Sequence, residues 1–278
     1  MTRLDAHHEQ VGREYDTLDY ERVRLDTGGA IEYAITTRLL RRYAPDGSTV
    51  VDVGVGAGHY SEGVTRRGCR VHLADVSQRL LDAAGARLAG AGLDGHILSS
   101  RRASATDLSH LPDACYDVAL LLGPLYHLLT ASERRAAVAE AARLLRPGGL
   151  VFAAGVNTLT YLRDVVRGDP DDFGRRRAYF LDHLPRDGNL ASPDGRPATM
   201  HTTTVAAFRV ELSPPFTELA LAGMESFASK HEAEYHRASP AARETLLDLV
   251  ERTGTTPEGL GATSHYLFIG RAGEGRGR

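Results

Sequence analysis

Apolar positions first recur with a helical period. Ile31, Ala34, Ile35, Leu39 and Leu40 fall on one face of a segment from Glu32 to Tyr43, and residues 1–45 read as helices. Pro45-Asp46-Gly47 breaks the pattern. Thr49-Val50-Val51-Asp52-Val53 is then a short β-branched run, the pattern of a buried strand. A glycine cluster follows, with a helix predicted from about Tyr60 to Arg67. Arg70 to Ala74 predicts a second strand ending at Asp75, and Ser77 is placed to cap a helix running to Leu88. His96 to Ser99 is a weaker third strand, followed by a loop over Ala103 to Leu108. Tyr116 to Leu122, bounded by Gly123-Pro124, is the fourth. A helix from Ser132, its expected cap, to Leu145 carries Arg143 and Arg146 at its C-terminal end. Pro147-Gly148-Gly149 reads as a turn and Leu150 to Ala154 as the fifth strand.

Strands that alternate with helices across crossovers of ~12 or more residues predict an α/β fold with a doubly wound, Rossmann-like, mostly parallel sheet. The alternation stops after Gly155. Residues 156–203 are rich in Asp, Arg, Pro and Gly and read as a cap inserted after the fifth strand. Residues 204–271 add a helix, a strand, a helix from Ala241 to Arg252 and a last strand from His265 to Gly270, completing the sheet. The division expected is therefore 1–45 helical lid, 46–155 ligand-binding core, 156–203 cap, 204–271 completion of the core and 272–278 a disordered tail.

Composition narrows the function classes. The chain of 278 residues has a net charge of −3, with no global attraction for nucleic acid or anionic membrane. Arginine supplies all the basic residues but Lys230, as in the codon bias of GC-rich genomes. Arg175-Arg176-Arg177 lacks the aromatic residues of a stacking platform and reads as a solvated face. No apolar run is long enough for a membrane span, and Met1 to Gln10 lacks the apolar stretch of a signal peptide. Cys69 and Cys115 read as reduced thiols, so a cytoplasmic location is expected. His72, His96 and His110 have no metal-ligand spacing, and His231, Glu232, Glu234 and His236 read as a polar helix face, so no metal is expected.

The chemistry is concentrated in Asp52-Val53-Gly54-Val55-Gly56-Ala57-Gly58-His59-Tyr60. Alternating glycines after a strand let the backbone turn sharply and let a ligand approach it closely, at the carboxyl end of the strand where open sheets bind ligands. A dinucleotide fingerprint would place its third glycine at position 59, which is His59. Asp52, beside the loop, suits a ligand with a positive group there better than a pyrophosphate. Asp75, at the end of the second strand, can accept both hydroxyls of a ribose.

This combination resembles the class I S-adenosylmethionine-dependent methyltransferases. Asp52, Gly54, Gly56 and Gly58 match the family's first motif, Asp75 its second acidic position, and Arg146-Pro147-Gly148-Gly149 the turn before its fifth strand. Gly123-Pro124-Leu125-Tyr126-His127-Leu128 matches a bacterial subset. The resemblance implies S-adenosylmethionine as cofactor and S-adenosylhomocysteine as product. It places the methionine end against the glycine loop, Leu122 and Gly123, the ribose on Asp75, and the adenine between Val76 and the pair Ser104 and Ala105. Ser104 stands where many relatives carry an acid, with Asp107 a substitute. Tyr60 follows the loop, and Tyr15, Tyr20 and Tyr33 stand in the expected lid, Tyr15 and Tyr20 as cofactor contacts, with Glu32 a possible lid acid.

For the reaction, His127 is the first candidate base or acceptor contact, with Tyr126 beside it and His201 facing it from the cap. The reading is methyl transfer to a small-molecule acceptor, with natural-product biosynthesis a setting that fits the composition. Three alternatives remain: a non-methyl enzyme that cyclises or transfers the aminocarboxypropyl arm, a binding protein without turnover, and a nicotinamide enzyme.

Overall fold

The computed structural model describes residues 6–17, 25, 27–191 and 200–273. Tyr20, the turn at 192–195 and residues 274–278 lie outside the described residues. Seven strands form one sheet: β1 (Thr49–Val53), β2 (Arg70–Asp75), β3 (Ile97–Arg102), β4 (Tyr116–Leu121), β5 (Leu145–Val156), β6 (Phe216–Gly223) and β7 (His265–Ala272), in the spatial order β3-β2-β1-β4-β5-β7-β6. The first five are parallel, and β7 runs antiparallel to both β5 and β6. The chain winds outward from β1 to β3, returns, and winds the other way through β4 and β5. The carboxyl ends of β1 and β4 are therefore the point where the winding reverses, and a crevice opens there.

The helices are α1 (Ala6–Thr17), α2 (Ala30–Tyr43), α3 (His59–Thr65), α4 (Gln78–Gly90), α5 (Ala131–Leu144), α6 (Thr158–Gly168), α7 (Asp172–Arg175), α8 (Leu184–Asp187), α9 (Val205–Leu212), α10 (Glu232–Arg237), α11 (Pro240–Gly254) and α12 (Pro257–Ala262). Neighbouring residues along each strand serve opposite faces. Val50, Val71, Val118, Phe152 and Leu267 join the core under α2, α3, α4 and α11, whereas Val51, Ala119, Val151 and Phe268 join the core under α5 and α9. Burial on both faces explains why the central strands are apolar almost throughout.

Two local expectations change. Thr130, not Ser132, caps α5: its hydroxyl accepts from the Glu133 amide and the Glu133 carboxylate accepts from the Thr130 amide, a reciprocal pair that Ser132, two residues on and inside the helix, does not form. Pro147-Gly148-Gly149 lies inside β5, which starts at Leu145 and shifts register against β4 there. Between β3 and β4 the chain turns without a helix, anchored when the Arg143 guanidinium donates to the carbonyls of Leu108 and Leu111. The cap after β5 is ordered around Arg176, which pairs with Asp172 and lies 5.0 Å from the Phe180 ring centre.

Candidate active site

At the end of β1 the amides of Gly54 and Val55 both donate to the Ala74 carbonyl, at 2.8 and 3.2 Å, which turns the chain back over β2. Gly54, Gly56 and Gly58 all have positive φ. Gly58, at φ +82°, packs so closely on α4 that a Cβ would lie 2.9 Å from the Ala84 backbone. A Cβ on Gly56, at φ +56°, would meet no protein atom within 4 Å. One glycine thus lets the loop lie against its own helix layer; the other keeps the backbone bare toward the crevice.

Asp75 holds this loop. One of its oxygens accepts from the Gly56 amide at 3.0 Å and the other from the Ser77 amide at 2.9 Å. Burial pushes its carboxyl up to about 6, against the stabilising effect of those amides. Asp52 is buried behind the loop, where the Ser61 hydroxyl donates to it at 2.6 Å; burial pushes it up to about 7, with Asp75 adding to the rise. From α4, the Arg87 guanidinium donates to the Ala57 carbonyl at 3.0 Å and lies 2.7 Å from His59 Nε2, fixing the far side of the loop.

Of the residues predicted to contact a cofactor, Gly54, Gly56, Tyr60, Asp75, Val76, Ser104, Ala105, Leu122, Gly123 and Tyr15 line one pocket, together with Tyr126 and His127. Among the described residues that line it, Asp75 is the one carboxylate. Asp52 and Gly58 do not line it; they shape the loop from behind. Asp107 accepts from the Ser109 amide, away from the pocket. His201 is also elsewhere. Its amide donates to the Tyr126 carbonyl, while its ring lines a separate cleft between α5, α8 and α9, where burial pushes it down to about 4.

Helix α1 covers the pocket. Gly12 lets it approach the Val76 carbonyl, and the Ser77 hydroxyl donates to Asp16 at 2.5 Å. Tyr15 Oη lies 2.7 Å from His127 Nε2, and His7 Nε2 lies 2.8 Å from the His127 carbonyl. The first residues of α1 that sequence reading missed are His8 and Val11, which line the pocket with Tyr15. Their spacing of three and seven residues is a helical face, the signal that would have found them. His59, Pro124 and Leu128 line the pocket from within the two motifs read in the sequence, whereas Leu80, which also lines it, carries no comparable signal.

These residues fit an adenosyl sulfonium. A buried carboxylate stands beside a bare backbone turn, and apolar walls from Val11, Leu80 and Leu122 suit a flat base and a thioether. Among the described residues no helix is long and apolar enough to cross a membrane.

Comparison with known proteins places the same stretch. Residues 51–153 match the model of a methyltransferase domain. A ubiquinone biosynthesis O-methyltransferase of Azoarcus sp. is 32% identical over 144 residues, covering 50% of this chain and 54% of the relative. The chain spans about half the length of the curated relatives it matches. Among solved structures, the 4+2 cyclase SpnF superposes with a TM-score of 0.60 at 18% identity, over 96% of this chain and 97% of that one. A geranyl diphosphate C-methyltransferase from Streptomyces coelicolor A3(2), solved with S-adenosylhomocysteine, gives a TM-score of 0.57 at 15% identity, over 97% and 100%.

Proposed function

We propose, from the premise that this chain carries a class I S-adenosylmethionine-dependent methyltransferase domain, that the protein transfers the cofactor's methyl group to a hydroxyl of a small, largely apolar acceptor. The single observation that carries this reading is Asp75. It is the carboxylate of the pocket, and it is bonded to the bare turn at Gly56, so ribose recognition and the loop are one unit. Bound S-adenosylmethionine would supply an electrophilic methyl on a cationic sulfur. On this reading Asp75 binds the ribose hydroxyls, Val76, Ser104 and Ala105 enclose the adenine, and Leu122 and Gly123 border the methionine end. Helix α1 excludes water from the top, and Tyr126 and His127 stand as acceptor contacts. Alignment of the acceptor oxygen with the sulfur–methyl axis then supplies much of the acceleration.

The O-methyltransferase relatives support the hydroxyl, and an arginine-rich composition agrees with a biosynthetic setting. The test is calorimetry with S-adenosylhomocysteine, followed by incubation of S-adenosylmethionine with a panel of mono- and dihydroxybenzenes. We expect one site per chain and a methyl ether formed with one equivalent of S-adenosylhomocysteine. Methylthioadenosine in its place would move the reading to transfer of the aminocarboxypropyl arm. Binding without product across the panel would favour a protein that holds the ligand without turnover. NAD binding with none for S-adenosylhomocysteine would overturn the cofactor assignment.

A further inference from the structure

Behind the pocket, four successive carbonyls are each held by a donor from elsewhere in the chain. The chain leaves β4 through a short 3₁₀ turn, Pro124–His127, and Tyr126, His127 and Leu128 line the pocket. The end of such a turn leaves carbonyls with no partner inside it. The Tyr126 carbonyl accepts from the His201 amide at 2.7 Å, and His7 Nε2 lies 2.8 Å from the His127 carbonyl. Arg134 Nη1 donates to the carbonyls of Leu128 and Leu129 at 2.8 and 3.1 Å. Asn189 Nδ2 also donates to the Leu129 carbonyl, at 3.2 Å. The lid helix α1, the cap and α5 therefore all hold the one segment that carries Tyr126 and His127.

Arg134 is the unusual donor of this set. It is the fourth residue of α5, where a cation opposes the helix dipole, and its side chain is only 9% exposed. A guanidinium is tolerated in such a place when it is paired and hydrogen-bonded. Glu211 of α9, itself 13% exposed, accepts from Arg134 Nε and supplies the pair. The next residue, Arg135, is exposed, so nothing in α5 itself requires a buried cation.

The other end of the same helix offers a comparison. Arg143 donates to the carbonyls of Leu108 and Leu111, neither of which lines the pocket. Arg134 holds Leu128, which does line it and follows His127 directly. Arg134, Glu211 and His201 line the separate cleft behind the segment and not the pocket. Their bonds therefore draw the backbone carbonyls away from the pocket and leave its lining to the side chains of Tyr126 and His127.

We propose that Arg134, braced by Glu211, is a positioning residue for the acceptor: it fixes where Tyr126 and His127 stand and touches neither acceptor nor cofactor. This rests on the methyl-transfer reading above. The planar guanidinium reaches Glu211 through Nε and both carbonyls through Nη1, so its orientation is set on one side and imposed on the other. A lysine would keep the charge for Glu211 but not the rigid fork.

Two readouts test this, and the first needs no acceptor. With labelled histidine assigned from backbone connectivities, the His127 ring signals are recorded by NMR in the S-adenosylhomocysteine complex. They should shift and broaden in Arg134→Lys. Glu211→Asp, which draws back the brace with no change of charge, should move them the same way and less, and it carries the test if the first variant does not fold. Arg143→Lys loosens the other clamp and should leave them in place. Unchanged His127 signals in Arg134→Lys and Glu211→Asp, or an equal disturbance by Arg143→Lys, would overturn the proposal.

The second readout is kinetic, with a hydroxybenzene of the panel that the wild type methylates. Arg134→Lys should lower kcat/KM for that acceptor about 10- to 100-fold, the effect of a misplacement near 1 Å. The KM for S-adenosylmethionine and the affinity for S-adenosylhomocysteine should stay within about twofold of wild type. A parallel loss of S-adenosylhomocysteine affinity would make Arg134 a support of the whole fold and overturn the positioning role. No binding of S-adenosylhomocysteine by the wild type would overturn the cofactor reading itself, a different failure.

Discussion

The two halves of the sheet's carboxyl edge are built differently. Over β1 and β2 the site is backbone: positive-φ glycines, amides donated to Ala74 and Asp75, and a short path between Asp52 and Ser77. Over β5 and β7 the edge is built of side chains from distant stretches, Glu32 on α2, Glu225 after β6 and His265 at the start of β7, outside the pocket lining. On the methyl-transfer reading the first half holds the cofactor, and its geometry is local. The second is free to change, because only packing of separate elements brings its residues together.

That contrast is sharpest at the loop. Gly58→Val should cost the fold about 3 kcal/mol or more, since a left-handed residue with a side chain loses roughly 1–2 kcal/mol and overpacking against Ala84 about 1–3 more. Thermal unfolding checks this. Gly56→Val carries only the backbone cost, because its Cβ meets no protein atom, yet it fills the crevice. It should fold and lose most of its affinity for S-adenosylhomocysteine, at least about 100-fold, or about 2.7 kcal/mol. If both variants fail alike, the division of labour between the two glycines is wrong.

The buried acids give an effect of middle size. Asp52 has its carboxyl raised to about 7 in the fold. The folded state therefore prefers the protonated form, so its contribution to stability is fully present below about pH 4 and is lost as pH rises toward 7. Asp52→Asn keeps an oxygen for the Ser61 hydroxyl and removes the charge. Its melting temperature should exceed that of the wild type by about 4 °C or more at pH 8, and the gap should shrink as pH falls and close only at about pH 4. A gap independent of pH would mean that Asp52 ionises normally.

The N-terminal contact gives the smallest effect. Tyr15→Phe removes one half-buried hydrogen bond to His127 and keeps the ring. Release of S-adenosylhomocysteine should quicken about fivefold, the equivalent of roughly 1 kcal/mol. Stopped-flow fluorescence would measure it, and an unchanged rate would remove Tyr15 from the closure of α1.

The same division explains what could be read before the structure. Thr49–Val53, Asp75 and the glycines at 54, 56 and 58 announce themselves because a β-branched run, a strand-end acid and positive-φ turns are encoded within a few neighbouring residues. Helix α4 is capped by Ser77 as its sequence suggests. The cap of α5 was misplaced by two residues because Thr130 and Ser132 offer similar hydroxyls, and only the reach of Glu133 selects between them. His201 drew attention by its chemistry, but the cap turns its ring toward α5 and α8. His265 read as the first residue of the last strand, in a stretch like that of the bacterial subset, with no partner named. Its partner Glu225 is 40 residues away, and nothing in the sequence between them marks the pair.

The central claim, that the β1–β2 turn holds an adenosyl ligand through Asp75, is tested most directly by titrating S-adenosylhomocysteine into the wild type and Asp75→Ala in a calorimeter. One site in the wild type, weakened in the variant by about 1.5–3 kcal/mol through loss of a charged hydrogen-bond acceptor, is the predicted result. No heat of binding in the wild type, or equal affinity in the two proteins, would contradict it.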